Sequence, residues 1–362
     1  FATLISGVCL LAAWPAPIWI GWLGQTPDNA SHAGALLQIL ALGLPGHVYF
    51  IVGSMFLEGV NRASIGFYVM LGANLVNIAA NYALIFGHFG LPEMGAEGSA
   101  WASTIVRWFM ALAVNGAIWF GPSFQRYGVR LKVSQSWASW AHQRRMGYAS
   151  AVSITTEVVA FAALAVFAGW IGTVELASHG VLYQFLGVPL MMAIGIGVAT
   201  GVRVGVAHGR RDTADTALAG ISGLLFSAFI SVAFTVIILI WTRDIVMLFT
   251  DDARIADVLV PLALIFTLGM IFDALQMILS FILRGMSEAW VPTILQGISF
   301  LGVMLPACYY LAIVAERGFA GLVEGTALGV LVSALLGAAR FYYLIRQESQ
   351  RAEGEPHAQQ AR

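Results

Sequence analysis

The stretch SAVSITTEVVAFAALAVFAGW, residues 150–170, decides the fold class because it is a continuous apolar segment with a single charged side chain, Glu157. The hydrocarbon core of a bilayer is about 30 Å thick, and about 20 predominantly apolar residues in a helix cross it. The stretch therefore predicts a membrane-spanning helix. An ionised carboxylate inside a bilayer is costly, so Glu157 is also the first candidate functional residue.

Similar apolar runs recur along nearly the whole chain, which is 59% hydrophobic and 10% charged. Soluble domains contain about 25% charged residues. Six runs contain no Asp, Glu, Lys or Arg: 1–27, 33–57, 63–92, 176–202, 216–242 and 289–315. Four more hold only isolated charges: 98–120, 146–174, 258–283 and 318–339. This pattern predicts an all-α polytopic membrane protein with about ten helices.

Charge and cysteine content argue against several classes of protein. A net charge of −1 gives no support to nucleic-acid binding. The two cysteines, Cys9 and Cys308, both lie in apolar runs and indicate neither a disulfide framework nor a metal site. The chain begins at Phe1 without a basic segment before its first apolar run, so its start does not resemble a signal peptide.

The basic residues are distributed unequally between the two sets of loops. Arg243, Arg254 and Arg317 belong to one set, and Arg107 lies within a helix. The other set, together with the C-terminus, holds the rest of the 18 basic residues: Arg62, Arg126, Arg130, Lys132, Arg144, Arg145, Arg203, Arg210, Arg211, Arg284, Arg340, Arg346, Arg351 and Arg362. The positive-inside rule predicts that this second set is cytoplasmic.

An internal repeat relates the two halves of the chain. LGLPGHVYFIVGSMFLEGVNRA (42–63) aligns with LGMIFDALQMILSFILRGMSEA (268–289) at a constant offset of about 226 residues. Chance agreement between Gly-rich apolar helices is the alternative, but a constant register through two helices and a loop argues against it. The offset predicts two halves of equal orientation, as in several secondary transporters, and about two helices preceding this chain.

An ordered set of segments resembles the multidrug and toxic compound extrusion (MATE) family, specifically its NorM-like branch. The segments are NLVNIAANYALIFGHFGLPEMGAEGSAWAST (74–104), TTEVVAF (155–161), GVRVGVAHGRRDTA (201–214) and FDALQMILSFILRGMSEA (272–289). The family has twelve helices in two pseudo-symmetric six-helix lobes, so the resemblance implies that this chain contains helices three to twelve.

The resemblance divides the chain into four parts. Residues 1–120 correspond to the N-lobe, with helices three to six of the family. Residues 121–145 form a cytoplasmic interlobe linker. Residues 146–346 form the C-lobe, with helices seven to twelve. The polar tail, 347–362, is predicted to be disordered.

Asp273 is the second acid within an apolar run. With a helical rise of 1.5 Å per residue, Glu157 lies about 18 Å beyond Arg145 and Asp273 about 16 Å beyond Arg284, so the two acids should share a depth. Helical spacing places Met270, Gln276 and Met277 on the face of Asp273 and Phe161 on the face of Glu157, and these four are predicted cavity-lining residues.

Two adjacent carboxyl groups in a low dielectric can hold either a proton or a small hard cation such as Na⁺. By resemblance to NorM-like transporters, Glu157 and Asp273 form the coupling-cation site. A tyrosine that assists the site in some relatives would fall at Gly269, so the cation preference stays open. In the alternative, both acids only lock helices together through Ser, Thr or Arg partners.

Three amides, Asn74, Asn77 and Asn81, follow helical i, i+3, i+7 spacing. The resemblance implies an N-lobe polar pocket that includes Asn77, Asn81 and Thr104. Hydrogen bonding between helices is the alternative.

Three further features have mainly structural interpretations. Glycines at 197, 201, 205 and 209 predict a groove for close helix packing. His47 occupies the repeat position of Asp273 and is predicted to be a hydrogen-bonded core histidine, with a titrating histidine of the N-lobe as the alternative. Arg107 either pairs with an acid or extends toward the membrane surface.

The resemblance implies a cation-coupled secondary transporter that exports lipophilic, often cationic organic molecules by alternating access. We expect a monomer in a bacterial inner membrane, with a cytoplasmic C-terminus, no catalytic residues and no cofactor apart from Na⁺ or H⁺ as coupling ion. A lipid-linked oligosaccharide flippase is the alternative, but its anionic cargo needs several cavity arginines and only Arg107 is plausible. An intramembrane enzyme is a distant alternative, because the chain contains no HExxH or GxGD motif.

Overall fold

The computed structural model describes residues 2–22, 27–131 and 137–359. Within these ranges the chain forms α1 to α14: Ala2–Ala13, Ala16–Trp22, Pro27–Leu42, Leu44–Gly59, Ala63–Ile85, Gly95–Phe120, Ala141–Ile171, Thr173–Gly209, Thr213–Met247, Ala253–Leu259, Ala263–Gly285, Trp290–Gly297, Leu305–Tyr309 and Gly318–Gln359. Short 3₁₀ helices cover Pro122–Tyr127, Trp137–Trp140 and Val260–Leu262, and π-helical segments cover Ile298–Met304 and Tyr310–Val314.

The chain divides into two compact units, Phe1–Ser134 and Gln135–Arg362. Their boundary lies inside the segment 121–145 that was predicted to be a linker. Phe1, Lys132 and Arg362, which entered the sequence predictions, lie outside the described residues.

Nine helical segments within the described ranges are long and apolar enough to cross a membrane. They are Ser31–Gly59, Ala63–Ile85, Gly95–Phe120, Trp137–Ile171, Thr173–Gly209, Thr213–Met247, Ala253–Gly285, Trp290–Val314 and Gly318–Gln350. Large apolar side chains such as Leu75, Leu225 and Leu335 remain 67, 66 and 59% exposed. Lipid covers such surfaces, so the predicted all-α, multi-pass membrane fold is confirmed.

The first charge-free run, 1–27, differs from the single crossing predicted for it. It forms two short helices, α1 and α2, with a break at Trp14 and Pro15. Pro15 has no N–H to donate to the preceding turn, which interrupts the helix. The side-chain amide of Gln38 donates to the Trp14 carbonyl oxygen at 2.7 Å and replaces part of the lost hydrogen bonding.

In the first unit, α6 stabilises a break between α3 and α4. The helical ladder is interrupted around Gly43, which leaves backbone carbonyls at the end of α3 without their usual partners. Three side chains of α6 donate hydrogen bonds to these carbonyl oxygens: Thr104 to Ile39 at 2.8 Å, Arg107 to Leu40 at 3.1 Å, and Trp108 to Leu42 at 3.0 Å. A cation at a helix C-terminus is also favoured by the helix dipole.

Helix α11 lies at the centre of the second unit, where it packs against α8, α9 and α14. The glycine groove predicted on α8 is confirmed for three of its four members. A Cβ at Gly197 or Gly201 would meet Phe281 of α11 at 2.5 or 3.0 Å, and one at Gly205 would lie 3.4 Å from the Gly285 carbonyl. A Cβ at Gly209 would meet no neighbour within 4 Å. The groove therefore ends before the last turn of α8.

The internal repeat is visible in the backbone of two turns. After α4, Asn61 adopts φ +61°, and after α11, Ser287, 226 residues later, adopts φ +64°. The following N–H donates five residues back in both turns, from Arg62 to Leu57 at 2.7 Å and from Glu288 to Leu283 at 2.9 Å. Each turn is a Schellman motif, so the offset found in the sequence corresponds to the same local geometry.

Ser287→Gly should stabilise the protein, because glycine adopts a left-handed conformation without steric cost whereas other L-residues lose about 1–2 kcal/mol there. The greater flexibility of unfolded glycine offsets part of this gain, and we expect a net increase in unfolding free energy of about 0.5–1 kcal/mol. Thermal unfolding in detergent would measure it. Ser287→Ala is the control and should not stabilise, and equal melting temperatures for the two variants would contradict the expectation.

Helix α14 continues to Gln359, into the polar tail 347–362, whose disorder stays a prediction. Extending an existing helix avoids the cost of nucleation, and the sequence QESQRAE at 347–353 consists mostly of good helix formers. Glu348 Oε1 also lies 3.2 Å from His208 Nδ1 on α8. The segment therefore begins as a helix that contacts the rest of the second unit.

Candidate functional site

A cavity of about 550 Å³ lies within the second unit. Glu157 of α7 and Asp273 of α11 both line it. The four residues predicted to line a cavity, Phe161, Met270, Gln276 and Met277, line it as well. The structure thus brings together all six C-lobe residues that the sequence singled out.

The helical register explains why these side chains converge. Met270, Asp273, Gln276 and Met277 are three or four residues apart on α11 and share one face. On the facing side, Pro189 lies inside α8 and lines the same cavity. Proline lacks a backbone N–H and interrupts the hydrogen bonding of a helix, which is compatible with an open space at this point.

Glu157 accepts a hydrogen bond from an amide that comes from a different helix. Gln296 Nε2, at the end of α12, donates to Glu157 Oε2 at 2.9 Å. Ser153 Oγ, one turn before Glu157, donates to Gln296 Oε1. Arg284 Nη2 of α11 in turn donates to Ser153 Oγ at 2.9 Å. Four side chains from three helices therefore form one continuous hydrogen-bonded chain that ends on the carboxylate.

Asp273 has a related but shorter arrangement. Gln276 Nε2 donates to Asp273 Oδ1 at 3.2 Å, and Ser333 Oγ of α14 donates to Gln276 Oε1 at 3.4 Å. Each acid is thus held by a glutamine whose own carbonyl accepts from a serine. Both glutamines are almost fully buried, at 5 and 6% exposure, and their hydrogen-bonding groups are largely satisfied within the protein.

The site suits a proton or a small hard cation. Within the described residues no group of three or more His, Cys, Asp or Glu side chains could hold a metal ion, so the two acids do not belong to a larger metal-binding cluster. Each carboxylate is tied by one amide donor and has a second oxygen on which to bind a positive species. Oxygen ligands of this kind favour hard cations.

Several residues of the site were not found from the sequence. Gln296, Ser333 and Arg284 contact the acids or their partners, and Tyr183 of α8 lines the cavity beside both acids. One signal was present for Gln296, since an amide within the charge-free run 289–315 requires a partner. Arg284 was interpreted only as a basic residue at the cytoplasmic end of its helix.

Gly269, the position at which the family resemblance suggested an assisting tyrosine, has little room for a side chain. A Cβ there would lie 3.3 Å from the Cβ of Ala327 on α14. Tyr183 lies in the same region and packs its ring against Phe161, with ring centroids 5.7 Å apart. The phenol that lines the cavity together with the two acids therefore comes from α8.

The polar residues predicted for the N-lobe pocket make separate local contacts. Asn81 Nδ2 donates to the backbone carbonyl of Asn77 at 2.9 Å and to its side-chain oxygen at 3.1 Å, both within α5. Asn74 donates to Met70 of the same helix at 3.1 Å. Thr104 donates to Ile39. A shared pocket formed by Asn77, Asn81 and Thr104 stays a prediction.

Two other residues of the first unit differ from the sequence predictions. The imidazole Nδ1 of His47 is buried and has no hydrogen-bond partner in the described part of the chain, so His47 is not the hydrogen-bonded core residue predicted. Arg107 binds the end of α3 rather than an acid.

Comparison with known proteins identifies the family. The family model MatE matches residues 1–83 and 149–310, which is more than half of the chain. The chain belongs to the MATE family. It is therefore a transporter and not an enzyme.

Curated members of the MATE family resemble the chain over most of its length. The "Probable multidrug resistance protein NorM" of Caulobacter vibrioides is 31% identical over 332 residues, which cover 92% of this chain and 70% of the relative. The protein of the same name from Rhizobium meliloti is 31% identical over 342 residues, which cover 93% of this chain and 73% of that relative.

Solved MATE structures share the fold. A crystal structure of MATE in the straight conformation superposes with a TM-score of 0.86 and 19% identity, covering 96% of this chain and 77% of that one. An outward-facing multidrug resistance MATE transporter of the MOP superfamily gives a TM-score of 0.85 and 18% identity, with coverage of 96% and 77%.

Proposed function

We propose that the chain is a cation-coupled secondary active transporter that exports lipophilic, often cationic organic molecules. Na⁺ or H⁺ is the coupling ion, and Glu157 and Asp273 hold it. The observation that carries the proposal is that both acids line one largely apolar cavity, each tied by a single amide donor. The names of the curated relatives, probable multidrug resistance proteins, support the export of drugs.

The setting follows from the same family and from the distribution of charge. We propose a monomer in a bacterial inner membrane that contacts lipid along its apolar faces and binds no nucleic acid. The excess of Lys and Arg in one set of loops supports a cytoplasmic C-terminus.

The cavity has the chemistry needed for such cargo. Two carboxylates attract a cationic group, and the rings of Phe161 and Tyr183 offer π faces to a cation. Met270 and Met277 are flexible and polarizable, and they adapt to ligands of different shape. A site that recognises apolar bulk and positive charge, without many fixed hydrogen bonds, accepts several related molecules.

Exchange follows from competition for the acids. A carboxylate pair in a low dielectric favours one positive partner, so occupation by Na⁺ or H⁺ weakens the hold on a cationic drug. Each ligand shifts the conformational equilibrium only through its different affinity for the two states. The coupling ion therefore drives export if it binds more tightly to the state from which the drug has left.

Proteoliposomes loaded with a fluorescent lipophilic cation would test the function. We expect export when an opposing Na⁺ gradient or an opposing proton gradient is imposed alone, and its loss when an ionophore collapses the gradient. Liposomes without protein control for passive leakage. Efflux that is equal with and without both gradients would overturn the proposal.

The structure corrects one argument about the alternative flippase. Arg107 was expected to be the only plausible cavity arginine, but its guanidinium binds the end of α3, and Arg284 lines the cavity of the second unit. A pyrophosphate carries several negative charges and requires several cationic groups. One arginine and two acids line this cavity, so the net charge of its lining favours a cationic cargo.

A further inference from the structure

The hydrogen-bonded chain that ends on Glu157 has a direction that its first member imposes. Arginine only donates hydrogen bonds, because its guanidinium carries no acceptor. Ser153 Oγ accepts from Arg284 at 2.9 Å and therefore uses its single proton elsewhere, on Gln296 Oε1. Since the Gln296 carbonyl is occupied, its NH₂ group faces Glu157.

The chain that ends on Asp273 provides an internal comparison. It begins at Ser333, whose hydroxyl donates to Gln276 Oε1, and no arginine donates to Ser333 among the described residues. The Gln276 amide has the same orientation but lacks a cation that enforces it. The two acids therefore differ in how firmly their amide partner is held as a donor.

Arg284 also lacks a direct acid partner. Within the described residues its guanidinium forms no ion pair with a carboxylate, its Nη2 donates to Ser153 Oγ, and its Nε is buried without a hydrogen-bond partner. It lines the same cavity as Glu157 and is close enough to interact with it electrostatically. A positive charge is thus fixed near the carboxylate without neutralising it through direct contact.

We propose that Arg284 is a positioning residue that holds the Gln296 amide as a donor toward Glu157 and so weakens the binding of the coupling cation at that carboxylate. The donor withdraws negative charge from one oxygen, and the guanidinium repels a second cation in the cavity. The same arrangement prevents Gln296 from turning its carbonyl oxygen toward the cation as an additional ligand. Weaker binding speeds release, which a transport cycle requires. This inference rests on the proposed function of Glu157.

Arg284→Gln should tighten Na⁺ binding about tenfold, which corresponds to about 1.4 kcal/mol, and should lower the maximal rate of efflux. Binding of radioactive ²²Na⁺ to the purified protein in detergent measures the affinity independently of transport. Arg284→Lys retains a positive donor and should resemble the wild type. A variant that is merely damaged would lose affinity, whereas this proposal expects a gain in affinity with a loss of rate.

Two further variants make the test specific. Arg340→Gln is the matched control. Arg340 is a partly buried arginine of the same unit that pairs with Glu288 at 2.7 Å and does not belong to the hydrogen-bonded chain that ends on Glu157. The Na⁺ affinity of Arg340→Gln should therefore equal that of the wild type. Ser153→Ala keeps the charge of Arg284 but cuts the chain, and about threefold tighter binding is expected. Ser153→Ala also serves if Arg284→Gln does not fold.

The outcomes separate this inference from the proposed function. Glu157→Gln should abolish Na⁺ binding. If Glu157→Gln binds Na⁺ as the wild type does, the proposed function of Glu157 fails. If Glu157→Gln loses binding but Arg284→Gln and Ser153→Ala bind with unchanged or weaker affinity, only the role of Arg284 is overturned. If neither the wild type nor Arg284→Gln binds Na⁺, the proposed role of Arg284 is overturned as well.

Discussion

Proteoliposomes that contain Glu157→Gln or Asp273→Asn should lose gradient-driven efflux of a lipophilic cation, with a decrease of about a hundredfold or more. The amides have nearly the same shape as the acids but cannot carry the negative charge that binds a proton or Na⁺. A hundredfold corresponds to about 2.7 kcal/mol, within the range for removing one partner of a charged interaction in a low dielectric. Initial rates of fluorescence change, under each gradient separately, measure the effect.

A matched acid in the first unit controls for the loss of charge itself. Glu58→Gln removes a half-buried carboxylate near the end of α4 that does not line the cavity of the second unit, and should leave the efflux rate within about twofold of the wild type. Equal amounts of folded protein should be verified by size-exclusion chromatography. Undiminished efflux in both Glu157→Gln and Asp273→Asn would remove the two acids from the coupling site.

Gly285→Ala should destabilise the second unit by about 2–3 kcal/mol, because overpacking at a close contact forces the backbone to move. A Cβ at Gly285 would lie 2.6 Å from the backbone carbonyl oxygen of Gly201. Backbone cannot give way as the tip of a side chain can, so α8 and α11 would have to separate. Since the two helices carry the walls of the cavity, loss of binding should accompany the lower melting temperature.

Gly195→Ala is the control, on α8, the helix that Gly285 contacts. A Cβ there would meet no neighbour within 4 Å, and alanine favours helix over glycine by about 0.8–1 kcal/mol. Gly195→Ala should therefore be as stable as the wild type or more stable. A melting temperature for Gly285→Ala that equals that of Gly195→Ala would show that the crossing of α8 and α11 is looser than the structure indicates.

The fold class could be predicted from sequence because the bilayer imposes a simple rule on composition. Runs of apolar residues about 20 long found nearly every crossing, and the offset of 226 residues found the repeat that Asn61 and Ser287 display in the backbone. Breaks within helices were harder to predict from the sequence. Pro15 was an available signal for the break between α1 and α2, whereas the break at Gly43 depends on donors from α6 that are about 65 residues away in sequence.

The site could be predicted only as far as single helices reveal it. Asp273, Gln276 and Met277 share one helical face, so local spacing predicted their common cavity. The partners of Glu157 could not be found in this way, because Gln296 and Arg284 lie 139 and 131 positions from the residues they contact. Contacts between residues so far apart in sequence depend on how the helices pack. A single sequence, read without an alignment, contains no signal for that packing.

The two Schellman turns have a consequence for how this protein can be observed. Asn61 and Ser287 have the same backbone geometry in halves whose chemistry has diverged, since His47 occupies in one half the position that Asp273 occupies in the other. Spin labels or fluorophores attached at these two points would be attached to the same local backbone geometry, and each would serve as a reference for the other. A difference between their signals during turnover would then report asymmetry between the halves rather than a difference in attachment.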